Sequence, residues 1–297
     1  MMSESKADLD KARGLVLLAS MCFAAMYLCV KLTSARVSTF EVLFARSVLG
    51  VVIAGAVLAR TGVTWRWGSL RMNALRSTFG FLSIASQFFA FHEGAVPLAT
   101  VTFLRHAAPA WMLVLAGPML NEWPDRRAKL AVTLGFVGTL LAFTPWNTTW
   151  SWSLVLAVAA GLFAALALLS VRKLAATDHP AAGVTSFMGV VALATGPFAI
   201  AGWVRNGFNG SARDAWLIAA AALLGTFGQL LNTSAYRYAR AVSTAVASLL
   251  EVVLLVVLAW IFTADGAPAF TTLFGGAAIV AAGWVATTRR RDLTRDA

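Results

Sequence analysis

Two stretches of this chain put ionisable side chains where an apolar run should carry none. Within the run from Val96 to Leu120, "TFLRHAAPAW" places Arg105, His106 and Pro109, and "LLEVVLL" places Glu251 in a second run. A guanidinium grips a carboxylate through paired charge-assisted hydrogen bonds, and a carboxylate receives an ammonium. An imidazole, with an unperturbed pKa of ~6.5, can follow proton traffic. Aromatic rings add surface for an apolar side chain or a cation. Such a set receives a zwitterion, so the expected substrate-binding residues are Arg105, His106 and Glu251, the amides Gln87 and Asn232, and the aromatics Tyr27, Trp111 and Trp260. An amide inside a membrane span needs a partner, and helix-to-helix hydrogen bonding competes with substrate contact for Gln87 and Asn232.

The elements that must position these groups follow from composition. Of 297 residues, 59% are hydrophobic and 12% charged, against ~25% charged in an ordinary soluble domain. With a mean hydropathy of +0.76, an all-α integral membrane protein is expected. Cys22 and Cys29 lie in one apolar segment and build neither a disulfide framework nor a metal site. The apolar stretch after "MMSESKADLDKAR" is too long for a signal-peptide core and reads as a retained first span. A bilayer core of ~30 Å needs ~20 apolar residues per helix. That ruler gives ten spans at 14–34, 40–60, 76–92, 97–120, 129–145, 153–172, 181–203, 214–236, 241–263 and 268–287.

Of the 24 Lys and Arg residues, Lys31, Arg46 and Arg105 fall within spans, and the other 21 divide eighteen to three when the amino terminus is placed inside. Arg76 is counted in the larger group, and the smaller group is Arg36, Arg205 and Arg213. The positive-inside rule then puts both termini in the cytoplasm. It also accounts for the net charge of +11 without nucleic acid, for which no soluble basic face is available.

The ten spans read as two copies of five. In "QFFAFHEGAV" and "NTSAYRYARAV", Gln87 falls on Asn232. Glu122 and Asp265 each close a span and precede a proline and a Gly-rich span. Five is odd, so the copies run in opposite directions, with a site near the midplane between them. The expected organisation is a cytoplasmic tail 1–13, a first five-helix repeat 14–145, a second repeat 146–287 and a tail 288–297.

Ten spans in this length, the inverted plan, and the pattern of Pro109, Glu122 and a Gly-rich span resemble the drug/metabolite transporter superfamily, EamA type. Within it, the overall character is most similar to bacterial amino-acid exporters of the YddG type. In that family the ninth span commonly carries Glu-Pro at its middle, and here Glu251 is followed by Val252. The resemblance implies a secondary carrier in a bacterial inner membrane that exports small metabolites, amino acids including aromatic ones, by alternating access.

Depth assigns the remaining roles. Arg105 and His106 lie ~12–14 Å into the fourth span, too deep to snorkel. Pro109 must loosen the helix beside them. An attraction between Arg105 and Glu251 is expected. Lys31, one turn beyond Tyr27, is a gate candidate, and Pro109 and Pro197 are hinge candidates. Arg46, about six residues from its span end, is expected to snorkel. Trp65, Trp67, Trp146, Trp150 and Trp152 suit interfacial belts. Glycines 135, 138, 275, 276 and 283 mark the fifth and tenth spans as close-packed scaffold.

No nucleophile–base set, His-Glu-x-x-His, Gly-x-Ser-x-Gly or P-loop occurs, so neither an enzyme nor an ATP-driven pump is expected, and no cofactor or metal. A channel or a lipid or other-metabolite flippase is the alternative use of the same cavity. The expected partners are a small-molecule substrate and the lipid bilayer.

Overall fold

The computed structural model describes residues 6–33, 36–62, 67–92, 98–143, 151–262 and 270–287. Among the described residues every regular element is a helix: α1 Lys6–Leu32, α2 Thr39–Arg60, α3 Trp67–His92, α4 Leu98–His106, α5 Ala108–Leu120, α6 Arg126–Phe143, α7 Trp152–Leu174, α8 Pro180–Asn206, α9 Ala212–Ala235, α10 Ala241–Ala247, α11 Leu250–Phe262 and α12 Phe270–Thr287. Among the described residues six helical stretches are long and apolar enough to cross a membrane, one of them Ala241–Phe262 taken through its break. Trp65, Trp146, Trp150, Asp265 and the arginines at 289–291 lie outside the described residues.

Local chemistry sets the helix ends. Ser38 and Ser211 each form a capping box, with Glu41 and Asp214 returning the hydrogen bond to the cap backbone. Pro180 opens α8 at the first position, where its missing N–H costs nothing. Inside the helices, Thr139, Ser170, Thr195 and Thr226 each donate to the carbonyl four residues back. Hydroxyls satisfied this way need neither water nor a neighbouring helix.

The fold places apolar surface on the outside: Leu193, Val204 and Trp216 are each more than three-quarters exposed. α1 packs on α9, α2 on α8, α3 on α7 and α6 on α12, while α4 and α5 lie along α7. α6 and α12 approach so closely that a Cβ on Gly138 would stand 2.7 Å from the Gly275 carbonyl oxygen, which agrees with the scaffold role expected of these glycines.

Two long apolar runs are broken where the polar residues sit. α4 ends at His106 and α5 starts at Ala108, because Pro109 has no N–H to continue the ladder. The second break separates α10 from α11 without any proline. There Ser248 turns its hydroxyl back onto the Thr244 carbonyl, and Leu249, Glu251 and Val252 bond to carbonyls three residues back. This tightened turn does what the family's proline would do. By contrast α8 runs unbroken through Pro197, which is exposed. α3 starts nine residues before the expected 76, and Arg76 becomes an interior position.

Candidate functional site

A cavity of about 630 Å³ lies inside the bundle, and seven of the expected residues line it: Tyr27, Gln87, Arg105, His106, Pro109, Asn232 and Glu251. Its size falls within the ~300–1,000 Å³ typical of small-molecule sites. Each contributing helix presents one face. α3 brings Arg76, Gly80, Ser83 and Gln87, a stripe at helical spacing that runs roughly 16 Å along the axis. α2 brings Thr39, Val42, Leu43 and Arg46, and α9 brings Gln229 and Asn232.

The helix break brings His106 against Glu251. His106, the last residue of α4, places Nε2 3.7 Å from Oε1 of Glu251, in the first turn of α11. Glu251 thus has His106 in contact and Arg105 within the expected electrostatic attraction, though no direct Arg105–Glu251 ion pair forms. Arg105 lies beside the Tyr27 hydroxyl and within electrostatic reach of Glu251, and its buried Nε has no hydrogen-bond partner. α7 seats closely here: a Cβ on Gly161 would lie 2.4 Å from the Leu104 carbonyl oxygen.

Arg46 does not snorkel. Only 9% exposed, it lines the cavity, with Nη1 2.8 Å from the Met26 sulfur and Nε unpartnered. Its depth along the span did not reveal that its face of α2 turns inward. Arg76 is likewise buried rather than at a basic surface: Nη1 donates to the Gly183 carbonyl at 3.0 Å and Nη2 reaches Gln229 at 3.4 Å, over the Phe187 ring. Ser83, Gln229 and Ser248 also line the cavity and were not expected. Gln229 precedes Asn232 by three residues on the same helical face, a spacing that could have flagged it.

Three expected residues stand elsewhere. Trp260 is half exposed on the bundle's exterior. At 100° per residue, nine residues separate it from Glu251 by half a turn, so both cannot face inward. Trp111, beyond the α4–α5 break, packs into the core that joins α5, α6, α7 and α10. Lys31 is exposed one residue past Val30, the last position of α1 that lines the cavity.

One end of the cavity is closed by polar contacts. Glu122 Oε1 accepts from Arg172 Nε at 2.7 Å and Oε2 from the Ala241 backbone N–H at 2.9 Å, while Arg172 Nη1 donates to the Tyr236 carbonyl. Beside this cluster, Asn73 donates to Asp178 at 2.6 Å and Arg237 donates to the Asp178 carbonyl. The same end gathers Arg60, Arg126, Arg127, Lys129 and Lys173 at helix termini. His179 caps α8 at this end by accepting from the Ala181 N–H. Desolvation, with Arg237 adding to it, holds its imidazole below the usual histidine range.

A bundle that is apolar outside and lined with arginine, amide and carboxylate within is a multi-pass membrane protein built to hold a small polar solute. Residues 11–144 match the EamA-like transporter family. Over 269 residues, covering 90% of this chain and 93% of the relative, the chain is 26% identical to the pseudopaline exporter CntI of Pseudomonas aeruginosa strain UCBPP-PA14. It is also 26% identical to an uncharacterized transporter of Helicobacter pylori strain J99 over 236 residues, 77% of this chain and 78% of that one. A solved crystal structure superposes with a TM-score of 0.74 at 16% identity, covering 94% of this chain and 96% of the other, which speaks for the fold alone. The amino-terminal part of the chain thus matches the EamA-like transporter family, and most of the chain is similar to membrane transporters.

Proposed function

We propose that this protein is a secondary carrier of the bacterial inner membrane that exports carboxylate-bearing small metabolites, amino acids among them, by alternating access through the cavity. The carrying observation is Arg105: a guanidinium with an unpartnered Nε on a cavity wall, beside a helix break and within electrostatic reach of Glu251. A carboxylate occupies such a fork well, and Glu251 is placed to take an ammonium. The name of the Pseudomonas relative supports the outward direction.

Ten spans in two inverted repeats, 14–145 and 146–287, complete the proposal, with α4–α5 and α10–α11 as the broken fourth and ninth spans. Two features favour it. The contact of α1 with α9 repeats that of α3 with α7, while α2–α8 and α6–α12 join counterpart to counterpart. Both breaks fall at corresponding places, next to Arg105 in one copy and Glu251 in the other.

The test of function is counterflow in proteoliposomes with a panel of amino acids and other metabolites. Saturable, competed exchange is expected. Conductance without saturation would indicate a channel, and no exchange of any carboxylate-bearing solute would sink the proposal. Orientation has its own test. With both termini cytoplasmic, a reporter active only in the periplasm works when inserted near Asn147 and fails at Arg291; the reverse pattern overturns the map.

A further inference from the structure

The cavity carries more positive charge than one zwitterion can answer. Among the described residues Arg46, Arg76 and Arg105 line it and Glu251 is the one carboxylate that does, a formal excess of two positive charges before His106 is counted. Among the described residues none of the three guanidiniums forms an ion pair: Arg46 meets a thioether, Arg76 a carbonyl, an amide and a ring, and Arg105 stands beside a phenol. The neighbouring acid, Asp178, sits in a small crevice that Arg76 also borders, but its carboxylate accepts from Asn73 and forms no ion pair with Arg76. Buried charges without counter-ions are costly at membrane depth, and a charge retained there is paired, hydrated or functional. Neutral partners hold the Arg76 guanidinium in place without satisfying its charge.

The three cations also form two stations. Arg46 meets Met26 and Arg105 meets the hydroxyl of Tyr27, the next residue, so both stand against the same stretch of α1. Arg46 lies against Gly225 of α9, whereas Arg76 reaches Gln229, one helical turn further along the same helix. Building on the carrier proposed above, we infer that the solute bears at least two carboxylates: one held by the Arg46–Arg105 pair and the other by Arg76, whose Gln229 and Phe187 neighbours orient it. A monocarboxylate amino acid fills one station and leaves the other cation bare. An occupant that bridges both restores near-neutrality inside the bundle, which is the condition for moving it through a low-dielectric region.

The test is ligand-induced thermal stabilisation and counterflow inhibition of the full-length purified protein. The probes are leucine and phenylalanine as monocarboxylates, glutamate as a dicarboxylic amino acid, and succinate and citrate as polycarboxylates. Polycarboxylates should bind at least tenfold more tightly than the monocarboxylates, and the Arg76→Gln variant should lose most of that preference. The wild-type panel stands even if the variant folds poorly, and Arg46→Lys offers a second, charge-preserving change that should also narrow the gap. Equal affinity for mono- and polycarboxylates, or a preference that survives Arg76→Gln in folded protein, overturns the two-carboxylate inference while leaving the carrier proposal standing. Binding and exchange of none of the probes overturns both.

Discussion

Arg105→Lys is expected to weaken the apparent affinity for transported carboxylates by about tenfold to hundredfold while leaving the melting temperature nearly unchanged. Lysine keeps the charge and loses the planar fork, so the expected loss is that of one charge-assisted hydrogen bond, ~1.5–3 kcal/mol. The structure sharpens the competing account, in which Arg105 only neutralises Glu251. Glu251 has His106 Nε2 3.7 Å away as well as the field of Arg105, and Arg105 stands beside Tyr27 with Nε unpartnered. Under the competing account Arg105→Ala destabilises the protein by exposing an unpaired acid, and Arg105→Ala with Glu251→Ala recovers both folding and transport. Under ours the double variant folds and does not transport. A double variant with normal counterflow would leave Arg105 as half of a structural pair.

The positions of chemistry along the chain were legible because a charge inside an apolar run is conspicuous at any register. Arg105, His106 and Glu251 were found that way, and Gln87 and Asn232 through the match between the two halves. Direction around the helix was harder to read. Arg46 and Arg76 were assigned by distance from a span end, yet both belong to stripes that face inward, Thr39–Val42–Leu43–Arg46 and Arg76–Gly80–Ser83–Gln87. Depth states what a charge costs if it faces lipid, and facing decides whether it does. The same distinction removes Trp260, half a turn from Glu251. Trp111 is lost for another reason, since it stands beyond the α4–α5 break and packs into the core instead of lining the cavity. At Glu251, reading a kink from proline alone missed a break built from a serine hydroxyl and short backbone bonds.

Arg172→Ala is expected to open the closed end of the cavity. Arg172 and Glu122 are only 16% and 20% exposed, and between them they tie α7 to the α5–α6 connection and to both sides of the α9–α10 turn. Removing the guanidinium leaves a largely buried carboxylate with one backbone donor, a loss of ~3 kcal/mol at the lower end of the range for buried pairs because some solvent remains. In an alternating-access cycle these contacts exist only while this end is shut, so the loss falls on one state and shifts the population toward the other by up to about a hundredfold. Val171, buried immediately inside the cluster and lining the cavity, reports the shift. In a background with Cys22→Ser and Cys29→Ser, a Val171→Cys variant should react with a membrane-impermeant maleimide from the basic end at least tenfold faster once Arg172→Ala is added. Glu122→Gln should give a smaller rise, since the amide oxygen still accepts from the Ala241 N–H. A melting temperature that falls while the labelling rate stays fixed would mean that Arg172 braces the bundle in every state, and the closed end would then be a structural seam and not a gate.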